Sequence, residues 1–148
     1  MPLEPDTPFE DYVRVTVVLD HPIAEVWAIV SSFGAIKAWI DGVEACSLAG
    51  AGVGAVRSVT RGGSVTRERL EEIVPATHSL RYALLPPYAL PAEDVTAVIS
   101  LRAIDDARTE VTWRSQARSF VSPREQIARY IEGFYARSLD NLGRLLVR

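Results

Sequence analysis

Residues 122–148 read SPREQIARYIEGFYARSLDNLGRLLVR. Ser122, Pro123, Arg124 and Glu125 form a capping box with proline at the first helical position. Ile127, Tyr130, Ile131, Phe134, Leu139, Leu142, Leu145 and Leu146 then recur at three- and four-residue steps. This predicts a helix to about residue 146, about 35 Å long at 1.5 Å per residue. An element of that length with one apolar face needs a sheet to lie against.

The chain upstream supplies one. Around residues 12–19, Tyr12, Arg14, Thr16 and Val18 alternate with Val13, Val15, Val17 and Leu19, and the β-branched content argues for a strand. Asp20-His21-Pro22 reads as a helix start, with Asp as cap and Pro in the first turn. Ile23, Val26, Trp27, Ile29 and Val30 give that helix an apolar face, and Ser31, Ser32 and Gly34 end it. A second short helical piece carries Ile36, Ala38 and Trp39 before Asp41-Gly42 turns the chain. Six short strands are then expected: Val43–Leu48, Gly54–Thr60, Val65–Val74, Ser79–Leu85, Val95–Ile104 and Glu110–Phe120. Turn signals of mostly hairpin length separate them. The predicted fold is α+β: a seven-stranded, curved, largely antiparallel sheet around a long C-terminal helix, with two short helices after the first strand. A curved sheet gripping one helix leaves space between them, and such space is where ligand cavities form. The proline-rich, acidic residues 1–9 read as a flexible arm, and residues 10–148 as a single domain.

Composition narrows the function. The chain has 148 residues, which is one domain's worth, and its 48% hydrophobic and 24% charged content is that of a globular protein. Sixteen basic and nineteen acidic residues leave a net charge of −3, too acidic to track a phosphate backbone, so no nucleic-acid partner is expected. Fifteen of the basic residues are arginine and one is Lys37, which suggests a GC-rich, bacterial source. No apolar run has the length of a membrane span and the N-terminus does not resemble a secretory signal, so a cytoplasmic location is expected. One cysteine, Cys46, excludes an intrachain disulfide, and without a flanking His or Lys it reads as a buried, inert thiol. Two histidines and one cysteine make no metal-ligand cluster, and no cofactor is expected. No G-x-S-x-G is present, and Gly50-Ala-Gly52-Val-Gly54 leads into a strand and lacks a P-loop lysine, so it reads as a hairpin loop. His78 sits at a turn, as a solvated residue or a base at a cavity rim.

Strand alternation assigns faces to the remaining candidates. If Val59 points inward, so do Arg57 and Ala55, and Glu68 shares a face with Leu70 on the next strand. On the last helix Tyr130, Phe134, Ser138 and Asn141 line the inner face, with Ser138 or Asn141 set either toward a hollow as a polar handle or toward solvent. Pro86-Pro87-Tyr88-Ala89-Leu90-Pro91 is a stiff loop bearing apolar groups. Together with Thr60–Thr66 it reads as a lid; the alternatives are a packed hairpin connection or a dimer contact through Tyr88.

Several motifs stand in a familiar order: Pro22-Ile-Ala-Glu-Val-Trp27, Phe33 and Trp39, Gly54-Ala-Val-Arg57, Glu68-Arg-Leu70 and Thr109-Glu-Val-Thr-Trp113. Across residues 10–147 the chain resembles the START/SRPBCC superfamily of helix-grip proteins, and in particular its bacterial polyketide cyclase/dehydrase-like members. More distantly it is similar to plant abscisic-acid receptors and the birch-pollen allergen group. It departs from the bacterial relatives at Ser32, at Glu93-Asp94-Val95 and at the proline-free step Trp39-Ile40-Asp41. The receptor resemblance places Glu44, Arg57, Glu68, Tyr82, Leu84, Asp94, Thr96 and Trp113 on cavity positions. Trp39, Val59, Leu70, Tyr88, Tyr130, Phe134 and Ser138 join them as ligand-binding candidates.

Two carboxylates and a guanidinium in an apolar hollow can anchor a ligand or hold a carboxyl ready for acid/base work. They can equally form an internal ion-pair network, Arg57 with Glu44 or Glu68. The superfamily contains enzymes and carriers alike. The expected function is therefore binding of a small hydrophobic or aromatic molecule, with cyclase or dehydratase chemistry in which Glu44 or Glu68 moves protons and Arg57 or Tyr82 polarises a carbonyl. The alternatives are a non-catalytic carrier and an interaction module with a vestigial cavity. A monomer and a homodimer are both compatible with the sequence.

Overall fold

The computed structural model describes residues 11–88, 92–120 and 123–147. The arm at residues 1–9, Leu90 and the capping-box Ser122 lie outside the described residues. The chain begins with β1 (Asp11–Leu19) and α1 (Ile23–Val30), followed by a 3-10 turn (Ile36–Ala38). Then come β2 (Val43–Ala49), β3 (Val56–Arg61), β4 (Ser64–Val74) and β5 (Ser79–Leu85), with a 3-10 turn (Pro75–Thr77) before β5. The remainder is β6 (Ala92–Glu93), β7 (Thr96–Asp105), β8 (Arg108–Gln116), β9 (Ser119–Phe120) and α2 (Arg124–Leu146).

Seven strands form one antiparallel sheet in the order β1-β8-β7-β5-β4-β3-β2. Register shifts interrupt it at Asp11/Val13, Val43/Ala45, Leu70/Glu72 and Ala103/Asp105. Bulges bend and twist the strands that carry them, and this curvature lets the sheet wrap α2. The helix-grip architecture expected from the sequence is thus present.

Four local expectations change. Pro22 and Pro123 occupy N-cap positions rather than the first helical turn, and neither helix has a side-chain cap. The carbonyl of Pro22 instead accepts from the amides of Glu25 and Val26. The second short helix is a single 3-10 turn, ending before Trp39. The second expected strand starts at Val56, two residues late, because Gly54 at φ 96° still belongs to the turn. The last expected strand is split: β8 ends at Gln116, and β9 pairs with β6 in a separate two-stranded ribbon, with Arg118 N donating to Glu93 O.

α2 buries Ile127, Ile131, Tyr135, Ser138, Leu139 and Leu142. Leu139 and Leu142 are fully buried, and Val26 of α1 and Val111 of β8 are equally so. Thr109 Oγ1 donates to the carbonyl of His21 at 2.7 Å, which pins the start of α1 to β8. The C-terminal half of α2 therefore rests on a filled core. No helix among the described residues is long and apolar enough to cross a membrane.

Candidate functional site

The N-terminal half of α2 stands off the sheet and encloses a cavity of about 440 Å³. That is within the range of small-molecule sites. Alternation builds its sheet wall: Arg57, Val59 and Arg61 come from β3, Thr66 and Glu68 from β4, and Tyr82 and Leu84 from β5. Val95 and Trp113 continue it. Ile36 and Ile40 close one end, and Gln126, Ile127, Tyr130, Ile131 and Phe134 form the helix side.

Arg57 is the polar centre. It is 3% exposed. Its Nε donates to Glu68 Oε1 at 2.7 Å, Nη2 lies 2.7 Å from the same oxygen, and Nη1 donates to the Phe33 carbonyl at 3.0 Å. The guanidinium carbon lies 4.0 Å from the Phe33 ring centre and 4.7 Å from that of Tyr82. Cation–π contact on both rings and a paired carboxylate make a buried charge tolerable here. The Glu68 side chain retains 15% exposure, and its second oxygen takes no hydrogen bond from the described residues.

Behind this pair lies an aromatic wall. Tyr82 is 4% exposed, and its hydroxyl accepts from Trp113 Nε1 at 3.2 Å. Burial pushes the Tyr82 phenol well above its usual pKa, and the Glu68 carboxylate adds to this; Arg57 and hydrogen bonding with Trp113 and Tyr135 oppose it. Trp113 stacks on Tyr135 at 3.9 Å between ring centres. Burial also raises the pKa of Tyr135 and of Tyr12, whose hydroxyl accepts from Ser115 Oγ. These phenols stay protonated and neutral around neutral pH.

Of the expected site residues, the structure brings Arg57, Glu68, Tyr82, Val59, Leu84, Trp113, Tyr130 and Phe134 to the cavity wall. Tyr130 stands at the edge, 55% exposed. The others lie elsewhere. Glu44 is exposed and accepts from Gly63 N at 3.4 Å, so Arg57's partner is Glu68. The cavity position that the receptor resemblance implied for Glu44 falls within the register shift at Val43/Ala45, where strand alternation is broken. Asp94 is exposed, has φ 53°, and pairs with Arg118 at 3.0 Å. Thr96 sits one residue out of phase: Val95 is the inward position, followed by buried Ala97 and Ile99.

Ser138 is fully buried but spends its hydroxyl on the main chain, accepting from Asp41 N at 2.8 Å. Asn141 Nδ2 likewise donates to Trp39 O at 3.2 Å. The two tie α2 to the segment after the first 3-10 turn and do not face the cavity. Trp39 packs 5.6 Å from Trp113, and its buried Nε1 has no partner among the described residues. Leu70 is core, 3% exposed. Tyr88 is half-buried and does not line the cavity.

The expected lid divides in the same way. Arg61 and Thr66 belong to the wall, and Arg67 Nη2 donates to Pro86 O at 2.9 Å, which joins the β3–β4 hairpin to the proline loop. Cys46 is half-buried rather than buried, and burial raises its pKa, opposed by Arg57. His78 is half-buried, edge-on to Trp27 at 5.6 Å, and not part of the cavity. Sequence reasoning missed Arg61 and Val95 as wall residues, although the steps 57-59-61 and 95-97-99 carry their phase. The described residues contain no group of acidic, His or Cys side chains able to hold a metal ion.

The sequence model for the family described as "Polyketide cyclase / dehydrase and lipid transport" matches residues 12–147. The chain belongs to this polyketide cyclase/dehydrase and lipid transport family. A solution structure from Thermobifida fusca is 31% identical, with TM-score 0.76, over 90% of this chain and 91% of that one. The Zhui aromatase/cyclase from Streptomyces sp. R1128 is similar in fold, with TM-score 0.70 at 16% identity, over 89% of this chain and 90% of that one. Norcoclaurine synthase from Thalictrum flavum, in complex with dopamine and hydroxybenzaldehyde, matches with TM-score 0.73 at 14% identity, over 91% and 85% of the two chains. At these identities the two enzymes speak for the fold alone. A comparison with curated protein sequences returns no match.

Proposed function

We propose that this family member binds a small hydrophobic or aromatic molecule in the cavity and acts on it by cofactor-independent acid/base chemistry of the cyclase or dehydratase type. One observation carries the reading: Glu68 is held by Arg57 through one oxygen, and the other oxygen takes no hydrogen bond from the described residues, beside a protonated Tyr82. In this scheme Glu68 removes a proton from carbon next to a carbonyl. The remaining N–H groups of Arg57 stabilise the enolate oxygen as charge develops. The carbanion attacks a second carbonyl of the same folded substrate, and the acid form of Glu68 returns the proton to the new alkoxide. In a dehydration Glu68 then removes the second proton from the same α-carbon and passes it to the departing hydroxyl, so that water leaves and a carbon–carbon double bond forms. The apolar wall fixes one substrate conformer, which lowers the entropic part of the barrier.

A second reading is a non-catalytic carrier. It is favoured by the mutual neutralisation of Arg57 and Glu68, which already satisfies the buried charge without a ligand. The two separate experimentally. Native mass spectrometry of protein purified from its own host, followed by extraction, identifies what the cavity retains. The enzyme reading predicts that Glu68→Gln abolishes turnover of that compound or its precursor while it still binds. Turnover surviving intact in Glu68→Gln sinks the catalytic assignment, and a folded protein with neither a retained compound nor affinity for apolar ligands sinks the cavity reading.

A further inference from the structure

Resting on the cavity reading above, we infer that the ligand carries a carboxylate and that Arg61 receives it. Among the described residues the cavity wall holds two guanidiniums, Arg57 and Arg61, and one carboxylate, Glu68. Arg57 and Glu68 neutralise each other. Arg61 is left as the net charge of the wall, positive in a chain whose overall charge is −3.

Arg61 is half-buried and makes no ion pair among the described residues. Asp41 offers it only a main-chain carbonyl, which accepts from Arg61 Nε at 2.9 Å; the Asp41 carboxylate is engaged by Arg137 Nε at 3.0 Å. Neither Nη of Arg61 meets an acceptor among the described residues. The guanidinium is nevertheless held in place. Its carbon lies 4.1 Å from the Phe134 ring centre, and Gly42 gives it room on another side. A Cβ at Gly42 would stand 3.3 Å from both Nε and Nη2, and φ +76° there favours glycine.

A half-desolvated, pre-positioned guanidinium with open N–H groups is the group that recognises a planar anion through paired, charge-assisted hydrogen bonds. Holding the side chain against Phe134 before binding reduces the entropy lost when an anion docks. The apolar body of the same ligand then lies against Ile36, Ile40, Val59 and Trp113.

Isothermal titration with two shape-matched probes, 2-naphthoate and 2-naphthamide, tests this. Wild-type protein should bind the carboxylate at least about tenfold more tightly, the range of a charge-assisted hydrogen bond. Arg61→Gln should bring the two affinities together, and so should Arg61→Met, which keeps an apolar stem on Phe134; circular dichroism identifies the folded variant to be used. Equal affinities in the wild type, or a preference that survives in a folded Arg61 variant, would overturn the carboxylate inference and leave the cavity reading standing. Failure of the wild type to bind either probe would overturn both.

Discussion

The two halves of α2 meet the same sheet with opposite results. Toward the C-terminus, Leu139 and Leu142 lie with no exposed surface in the same core as the equally buried Val26 and Val111, and Ser138 and Asn141 are consumed by main-chain groups at Asp41 and Trp39. Toward the N-terminus, Ile127, Ile131 and Phe134 face a hollow whose far wall holds Arg57, Glu68 and Tyr82. The first half anchors the helix, which allows the second to stand clear of the sheet. Packing at one end thus provides the space for chemistry at the other.

The largest expected effect breaks the anchored half. Leu142→Ala should cost about 2–5 kcal/mol in urea denaturation, whereas Leu84→Ala on the cavity wall should cost about 1 kcal/mol, since no new sealed void is created there. Similar losses at both sites would mean that the two halves are packed alike.

Next in size is the ion pair. Glu68→Leu alone leaves a buried Arg57 uncompensated and should destabilise by about 3 kcal/mol. The double variant Arg57→Met, Glu68→Leu should recover most of that, because the pair is replaced by packing atoms. A double variant as unstable as the single one would show that the pair is needed for folding.

The phenols sharpen the comparison through pH. Burial raises the folded-state pKa of Tyr12, Tyr82 and Tyr135 above the value of about 10 for an unfolded tyrosine. Above that pH the unfolded chain releases protons that the folded chain keeps. The stabilisation is therefore complete below about pH 10 and is lost progressively as pH rises from there toward the folded values. Urea melts across this range should fall by about 1.4 kcal/mol per pH unit for each such tyrosine. In Tyr82→Phe the slope should be shallower by one tyrosine's share. An unchanged slope would mean that Tyr82 titrates like an exposed phenol and that the wall around it is wet.

The smallest effect separates the halves most cleanly. Ser138→Ala should cost about 1 kcal/mol by removing the acceptor for Asp41 N, and it should leave the affinity for 2-naphthoate unchanged. A change in affinity would place Ser138 in the cavity after all.

The fold was legible because its signals are long. The helical period across residues 127–146 and the strand–turn rhythm of residues 43–116 each repeat enough times to survive an error in any one position. The wall was legible where alternation runs unbroken, as at Arg57, Val59 and Glu68, while Tyr82 and Leu84, which also line it, came from the family resemblance rather than from the strand pattern. The positions carried over from the receptor resemblance failed where one residue changes the phase. The bulge at Val43/Ala45 turned Glu44 outward, and the left-handed backbone of Asp94 made Val95, not Thr96, the inward side chain. Ser138 failed for another reason: a buried hydroxyl on an inner face suits a ligand or a neighbouring amide equally, and only the three-dimensional path of residues 39–41 decides between them.

The central claim is that the hollow half of the α2–sheet interface is a ligand site. Isoleucine methyl NMR addresses it directly, because Ile36, Ile40, Ile127 and Ile131 line the cavity while Ile99 is buried elsewhere in the core and Ile23 and Ile29 sit on α1. On titration with 2-naphthoate, the four cavity methyls should shift together along one saturable curve and the other three should stay still. Shifts centred on Ile23, Ile29 or Ile99, or no saturable shift at any of the seven, would contradict the account.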